Sequence, residues 1–301
     1  MASTLIAVIT ALLLGHLFPA AARTLRNHAW FAAWMRWLGA RFADPHSLWR
    51  GRWGVLIAVL PPLAAVAALQ YLLHSPLAGV LGLIFAVAVL FYAWGPRDLD
   101  QDVADVADAD SVDARRAAAA RLGVADGRSE GGPAIGAVFR SALRRWFGPL
   151  LWFLLLGAAG ALLYRLVALA AEGETAESVP PATRDGARAL LALLEWPVAQ
   201  LMTFSLALVG NFDTVVGAWK DAGGTALQRE IAFLDAAARA SVRSEIAEEA
   251  REWIDEGDSP GAAWARLGEL PELRDAMSLV WRILLLWLAV LALFVIAGWV
   301  G

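Results

Sequence analysis

Six apolar runs dominate this chain, and most of them approach the length of a membrane-spanning helix. A helix rises 1.5 Å per residue, so about 20 apolar residues cross a hydrocarbon core about 30 Å thick. The runs lack the two-residue alternation of a barrel strand, and a backbone in lipid must satisfy its own hydrogen bonds, so we predict helices. The six runs are residues 3–19, 53–73, 77–94, 147–170, 187–209 and 277–300.

The composition agrees with a chain that lies in lipid. Hydrophobic residues make up 59% and charged residues 18% of the 301 residues, whereas soluble proteins have about 45–50% and about 25%. The 15 Trp suit the headgroup level, where an indole is half solvated. We therefore predict an all-α fold, one polytopic membrane domain over residues 1–301 with about five to six transmembrane helices plus cytoplasmic amphipathic helices.

The first apolar run has a second interpretation. Residues 3–19 are also typical of a secretory signal, and the small residues at 20–22 would suit cleavage. Arg23 and Arg26 follow the run instead of preceding it, which favours a retained helix. Retention is the preferred interpretation, and cleavage is the alternative.

The charges of the connections predict an orientation, because Arg-rich connections stay in the cytoplasm. Connections 22–52, 95–146 and 211–276 are rich in Arg and are expected to be cytoplasmic. The acidic connection 171–186 and the short turn 74–76 are then expected to face outward. Both chain termini would also lie outside.

Three connecting regions have patterns of their own. Residues 25–42 mix Trp with Arg, which is typical of a helix at the membrane surface or one packed on its own bundle, with equal weight on each. Residues 100–121 are predicted to form one acidic helix, followed by a loop over residues 124–136. Residues 228–254 carry an apolar stripe at helical spacing, which favours packing inside the protein over docking of a partner.

The sequence offers little for catalysis. There is no Cys, the four His are never spaced i, i+4, and no Gly-Lys-Ser or Gly-Lys-Thr follows the glycines. We therefore predict no catalytic residue, no metal site and no cofactor. The aspartates between residues 98 and 113 are interpreted as a solvated helix face. A net charge of −4 argues against nucleic acid as a partner.

A few polar residues stand out by their position. Arg165 lies inside an apolar run and is a functional candidate, although snorkelling to the outer interface is the preferred interpretation. Asn211 and Asp213 follow another run and are expected to cap the next helix, with ligand binding as the alternative. Gly157 and Ala161 are small residues four apart, which would allow a close contact between helices.

Five stretches of the chain carry a resemblance to a known family. They are Gly95-Pro96-Arg97-Asp98-Leu99, Val138 to Trp152 (V-F-R-S-A-L-R-R-W-F-G-P-L-L-W), Gly157 to Arg165 (G-A-A-G-A-L-L-Y-R), Glu195-Trp196-Pro197, and Gly210-Asn211-Phe212-Asp213 with Trp219. In this order, and over nearly the whole chain, they resemble the AmpE family. The resemblance implies an inner-membrane signalling modulator linked to β-lactamase induction, whose partner is a cytoplasmic amidase that recycles muropeptides.

More distantly, the chain resembles the CobD/CbiB family of cobalamin synthesis, whose members join an aminopropanol unit to adenosylcobyric acid with ATP and a divalent metal. Pro149–Trp152 and Gly160–Arg165 match its apolar frame. The polar signature positions fall instead on Arg140, Ser141, Arg144, Ala168 and Ala171. Because such a ligase needs carboxylates to hold its cation, the departure implies a non-enzymatic relative or different chemistry.

These observations lead to one preferred function and two alternatives. The preferred one is a multi-pass regulatory protein of the bacterial inner membrane, which binds a cytoplasmic amidase or a muropeptide ligand through residues 95–146 and 211–276. The alternatives are an adenosylcobinamide-phosphate synthase-like amide ligase and a transporter. The ligand- or partner-binding candidates are Arg97, Asp98, Arg165, Asn211 and Asp213.

Overall fold

A computed structural model describes residues 2–17, 26–44, 46–73, 79–95, 98–124, 132–226, 230–267 and 270–297. All the regular structure in those residues is helical, which confirms the predicted all-α class. Three of the described helices are long and apolar enough to cross a membrane, fewer than the spans predicted from hydropathy, and three more are apolar but shorter.

The helices are numbered here in chain order. They are Ala2–Leu17 (α1), Ala29–Arg41 (α2), Gly54–Leu72 (α3), Gly79–Ala93 (α4), Leu99–Ala107 (α5), Val112–Arg121 (α6), Gly132–Ala142 (α7), Gly148–Leu156 (α8), Ala158–Ala171 (α9), Gly173–Glu177 (α10), Pro181–Val209 (α11), Phe212–Asp221 (α12), Ala232–Asp255 (α13), Pro260–Arg266 (α14) and Pro271–Ile296 (α15). A 3-10 turn, Leu48–Arg50, precedes α3, and a π-helical turn, Leu143–Phe147, joins α7 to α8. The three helices of spanning length are α3, α11 and α15.

The chain divides into two compact units, where the sequence predicts one domain. The first unit comprises Met1–Pro96, Arg144–Glu195 and Leu291–Gly301. The second comprises Arg97–Leu143 and Trp196–Val290. Each unit therefore contains segments that lie far apart in the sequence.

In the first unit, helices α2, α3 and α9 share a core. Helix α2 buries Phe31, Met35 and Leu38, residues at one face of a helix, and leaves Trp30 and Trp37 exposed. The prediction that this segment packs on its own bundle is confirmed, over a shorter range than the predicted 25–42. The exposed indoles lie on another face of the helix, where they suit the membrane surface.

The predicted span 147–170 is not one helix. Gly157 has φ 70° and ψ −153°, a conformation that essentially only glycine adopts, and it ends α8 and begins α9. A Cβ at Gly148 would overlap the Tyr164 ring, and a Cβ at Gly160 would overlap the Trp152 carbonyl. These two pairs lie symmetrically about the turn, so α8 and α9 run antiparallel as a helical hairpin.

In the second unit, α13 packs on α7 and α12. Its stripe is buried as predicted, with Leu234, Ala238 and Val242 each fully buried. The predicted acidic helix 100–121 is wrong as one element, because the Ser111 hydroxyl accepts a hydrogen bond from the Ala114 amide and starts a new helix there.

The predicted loop 124–136 is also too long in the described part of the chain, because helix α7 already begins at Gly132. Pro133 stands in the first turn of that helix, where its missing N–H costs nothing. Residues 125–131 of this loop, like the predicted turn 74–76, lie outside the described residues.

We predict that Gly157→Ala destabilises the protein by about 2 kcal/mol, because a side chain at this φ and ψ is strained. The new Cβ would also press on the Gln70 carboxamide. Thermal unfolding of the detergent-solubilised protein measures the effect. The matched control is Gly217→Ala in α12, where a Cβ meets open space; it should be neutral or stabilising by up to about 1 kcal/mol. Equal effects of both substitutions would contradict the role of Gly157.

Candidate functional site

Ionisable side chains gather at the base of the α8–α9 hairpin in the first unit. The hairpin-base cluster consists of Arg26, Arg144, Tyr164, Arg165, Glu172 and Glu195. Tyr164 and Arg165 are consecutive on α9, Glu195 lies on α11, and Arg144 lies on the π-helical turn. Ionisable groups within apolar helices are costly, which makes this cluster the best candidate for a site. A π-helical turn is also frequent at functional positions.

Arg144 binds two carboxylates in this cluster. Its Nε donates to Glu195 Oε1 at 2.8 Å and its Nη1 donates to Glu172 Oε2 at 2.5 Å. Burial lowers the pKa of Arg144, but the carboxylates of Glu195 and Glu172 outweigh it and raise the pKa above its ordinary value. The Tyr164 hydroxyl donates to the same Glu195 oxygen at 3.4 Å. The Glu195 side chain is only 6% exposed, so its charge is compensated by Arg144 and not by solvent.

Two further guanidinium groups bind the carboxyl end of α4. Arg165 Nε donates to the Ala93 carbonyl at 2.6 Å, and Arg26 donates to the carbonyls of Phe91 at 3.0 Å and Gly95 at 2.9 Å. The last carbonyls of a helix have no partner within it and carry partial negative charge, so cations are favoured there. Arg165 is 6% exposed, and the expectation that it snorkels to the interface is therefore wrong.

His28 lies beside this end of α4. Its ring centroid is 4.7 Å from that of Tyr92. Burial, followed by the positive charge of Arg165, lowers the pKa of His28 to about 4. The imidazole is consequently neutral in the folded protein at physiological pH.

The other candidates from the sequence act locally. Asn211 Oδ1 accepts a hydrogen bond from the Thr214 amide at 3.1 Å, which confirms the predicted cap of α12, and Asp213 is exposed in the first turn of that helix. Asp98 caps α5 through the Asp100 amide. These three residues belong to the second unit and Arg165 to the first. Arg97 lies outside the described residues.

Sequence reasoning did not select Glu195 or Arg144 as site residues. A signal for Glu195 was present, since it is a single acid within the apolar run 187–209. Arg144 lies just before the apolar run 147–170, where an Arg is typical of an ordinary cytoplasmic connection. Its partners, Glu172 and Glu195, are 28 and 51 residues away in sequence, so the pairing is visible only in the fold.

Both carboxylates of the cluster are engaged in ion pairs with Arg144, and the other two guanidinium groups bind backbone carbonyls. Each carboxylate of the cluster faces a guanidinium, and both carboxylates accept hydrogen bonds from Arg144. Among the described residues, no group of three or more His, Cys, Asp or Glu is arranged to hold a metal ion. The arrangement fixes the relative positions of α9, α11 and the π-helical turn.

No protein-family model, curated protein or solved structure matches the chain.

We predict that Arg144→Ala destabilises the protein by about 2–3 kcal/mol, because it leaves the buried Glu195 carboxylate without its cation. This figure is below that for a fully buried pair because the Arg144 side chain is 35% exposed. The matched control is Arg188→Ala, which removes a pair that is 57% and 69% exposed, and it should cost less than about 0.5 kcal/mol. Chemical unfolding in detergent distinguishes the two, and similar costs would show that the Arg144 pair contributes no more than a surface pair.

We also predict a loss of stability on acidification. The pKa of His28 is lower in the folded than in the unfolded chain, so the folded state binds this proton less tightly. The stability that the neutral His28 imidazole contributes is complete above about pH 6.5 and declines as the pH falls toward about 4. With a discount for solvent screening, the loss from pH 7 to pH 5 should be about 1 kcal/mol. His28→Gln should remove this component of the pH dependence, whereas the exposed His46→Gln should retain it.

Proposed function

We propose that this protein is a multi-pass regulatory modulator of the bacterial inner membrane, of the AmpE type, that acts by binding and not by catalysis. The ligand would be a cell-wall muropeptide or the partner a cytoplasmic amidase, with an effect on β-lactamase induction. The proposal rests on the resemblance and on the bonding of the residues that occupy the ligase signature positions.

Three of those positions are engaged in internal bonds. Arg140 pairs with Asp235, the Ser141 hydroxyl donates to the Leu122 carbonyl at 3.2 Å, and Arg144 pairs with Glu195 and Glu172. A ligase that uses ATP and a metal needs free carboxylates to hold the cation. Guanidinium groups closed in ion pairs offer no ligand and would repel the cation, which supports binding over amide formation.

The membrane setting is supported by two of the long helices. Only 17% of the apolar window of α3 and 22% of that of α15 is buried within the protein. Apolar helical surface of this extent requires lipid. The Arg-rich connections support an orientation in which those connections are cytoplasmic. The inner membrane of a bacterium is what the resemblance implies.

A contact surface for a protein partner is supported in the second unit. Its helices expose the apolar side chains of Val112, Phe212 and Trp264, with exposed fractions of 66%, 56% and 55%. They belong to the connections 95–146 and 211–276, which the sequence predicts to be cytoplasmic. These three side chains are the first positions to test for contact with an amidase.

We predict that a muropeptide raises the thermal stability of the purified protein, whereas ATP with magnesium and adenosylcobyric acid does not. A ligand that binds only the folded state adds about 2.7 kcal/mol at a hundred times its dissociation constant. A shift with ATP, magnesium and the corrin together would restore the ligase alternative. If no small molecule shifts the transition, loss of amidase co-purification in Phe212→Ser and Trp264→Ser would support the protein partner, and no co-purification at all would refute the proposal.

A further inference from the structure

The first arm of the α8–α9 hairpin is too short to cross a bilayer, and the second arm returns along it. Helix α8 has 9 residues and α9 has 14, which correspond to about 14 Å and about 21 Å. The hydrocarbon core is about 30 Å thick. Because the arms run antiparallel, the chain that enters through α8 comes back through α9 to the level at which it started.

The tip of this hairpin is apolar and exposed. Leu155 and Leu156, which precede the Gly157 turn, are 62% and 49% exposed. A cavity of about 440 Å³ beside the tip has mainly aliphatic walls contributed by α3, α8 and α9. Large aliphatic side chains at a tight turn are unfavourable in water and favourable in hydrocarbon.

The backbone at the tip is satisfied by a side chain from α3. Gln70 Nε2 donates to the Leu156 carbonyl at 3.2 Å, and the Ala159 amide donates to Gln70 Oε1 at 3.0 Å. Both polar ends of the carboxamide are thus bonded to the turn. A helix break at membrane depth requires such a partner, because lipid offers none.

The base of the hairpin holds its entry and exit together. Arg144, before α8, binds Glu172, after α9, at 2.5 Å. The Thr183 hydroxyl donates to the carbonyls of Trp49 and Gly51, which lie immediately before α3. Residues 172–183 therefore lie at the same end of the first unit as the Arg-rich connection before α3.

We propose that Gly148–Ala171 is a re-entrant hairpin whose tip inserts into the hydrocarbon core from the cytoplasmic side. Its partner is the bilayer interior, and Gln70 anchors it to the crossing helix α3. The connection 171–186 then lies in the cytoplasm, whereas its acidic charge had suggested that it faces outward. Acidic residues have little influence on orientation, so the positive-inside rule still holds.

The same topology keeps both ends of α11 on the cytoplasmic side, although this helix has spanning length. Half of its apolar window is buried, against 17% and 22% for α3 and α15. It starts at the cytoplasmic end near Trp49, and α13, which follows it in sequence, packs on α7 in the second unit. The crossing helices are then α1, α3, α4 and α15, which leaves the three Arg-rich connections in the cytoplasm.

Single cysteines test this topology, since the chain has none of its own. The variants Asp44→Cys, Ser178→Cys and Asp221→Cys report three connections, and Ser75→Cys reports the one between α3 and α4. With a membrane-impermeant maleimide, we expect the first three to be labelled at least tenfold faster in inverted vesicles than in spheroplasts, and Ser75→Cys to show the reverse. If Ser178→Cys is labelled from the same side of the membrane as Ser75→Cys, the re-entrant hairpin is overturned. If Asp221→Cys is labelled from that side, the placement of α11 is overturned.

A second measurement locates the tip. A fluorophore on Leu155→Cys should be quenched at least twofold by lipids brominated along their acyl chains, and one on Ser178→Cys should not. Quenching of Leu155→Cys by aqueous iodide instead would place the tip in water. Gln70→Leu should lower the melting temperature by several degrees while the lipid-facing control Leu69→Ala does not; equal behaviour of the two would exclude Gln70 as the anchor.

Discussion

The ion pair between Arg144 and Glu195 is the interaction on which the first unit depends most. It joins the π-helical turn to α11, and the Tyr164 hydroxyl on α9 binds the same carboxylate oxygen. Placing a carboxylate at 6% exposure is unfavourable unless a cation and further donors surround it. Glu195 has both, and the geometry that satisfies it brings three segments together that are separated by tens of residues in sequence.

The carboxyl end of α4 imposes a second constraint at the same level. Its terminal carbonyls would remain unpaired in an apolar environment, and Arg26 and Arg165 supply donors from two sides. A guanidinium suits this role better than an ammonium, because its planar fork can bind several carbonyls at once and is less strongly hydrated. Arg26 also lies over the Phe91 ring, 4.5 Å from its centroid, which stabilises the cation further.

The sequence predicts the apolar runs, the Asn211 cap and the buried stripe of α13, because each depends on neighbours within a few turns of one helix. It does not predict the break at Gly157. Glycine is common within membrane helices, and nothing in the run 147–170 distinguishes a glycine that allows close packing from one that reverses the chain. The side chain of Gln70 satisfies the backbone at this turn, and it lies 86 residues away in sequence from the carbonyl that it binds. The hairpin-base cluster was missed for the same reason, since its pairs form only in the fold.

A site whose carboxylates are both paired internally has a limited range of functions. To present Arg144 or Glu195 to a substrate, the protein would first have to break this partly exposed pair, at a cost of about 2–3 kcal/mol. That cost would be added to every turnover of an enzyme, and it would weaken the binding of a charged ligand by a factor of about 30 to 140. In a regulator the same closure is an advantage, because it holds the helices in one arrangement until a partner binds elsewhere. We therefore interpret the ion pairs at Arg140 and Arg144 as a structural framework, in keeping with the proposed binding role.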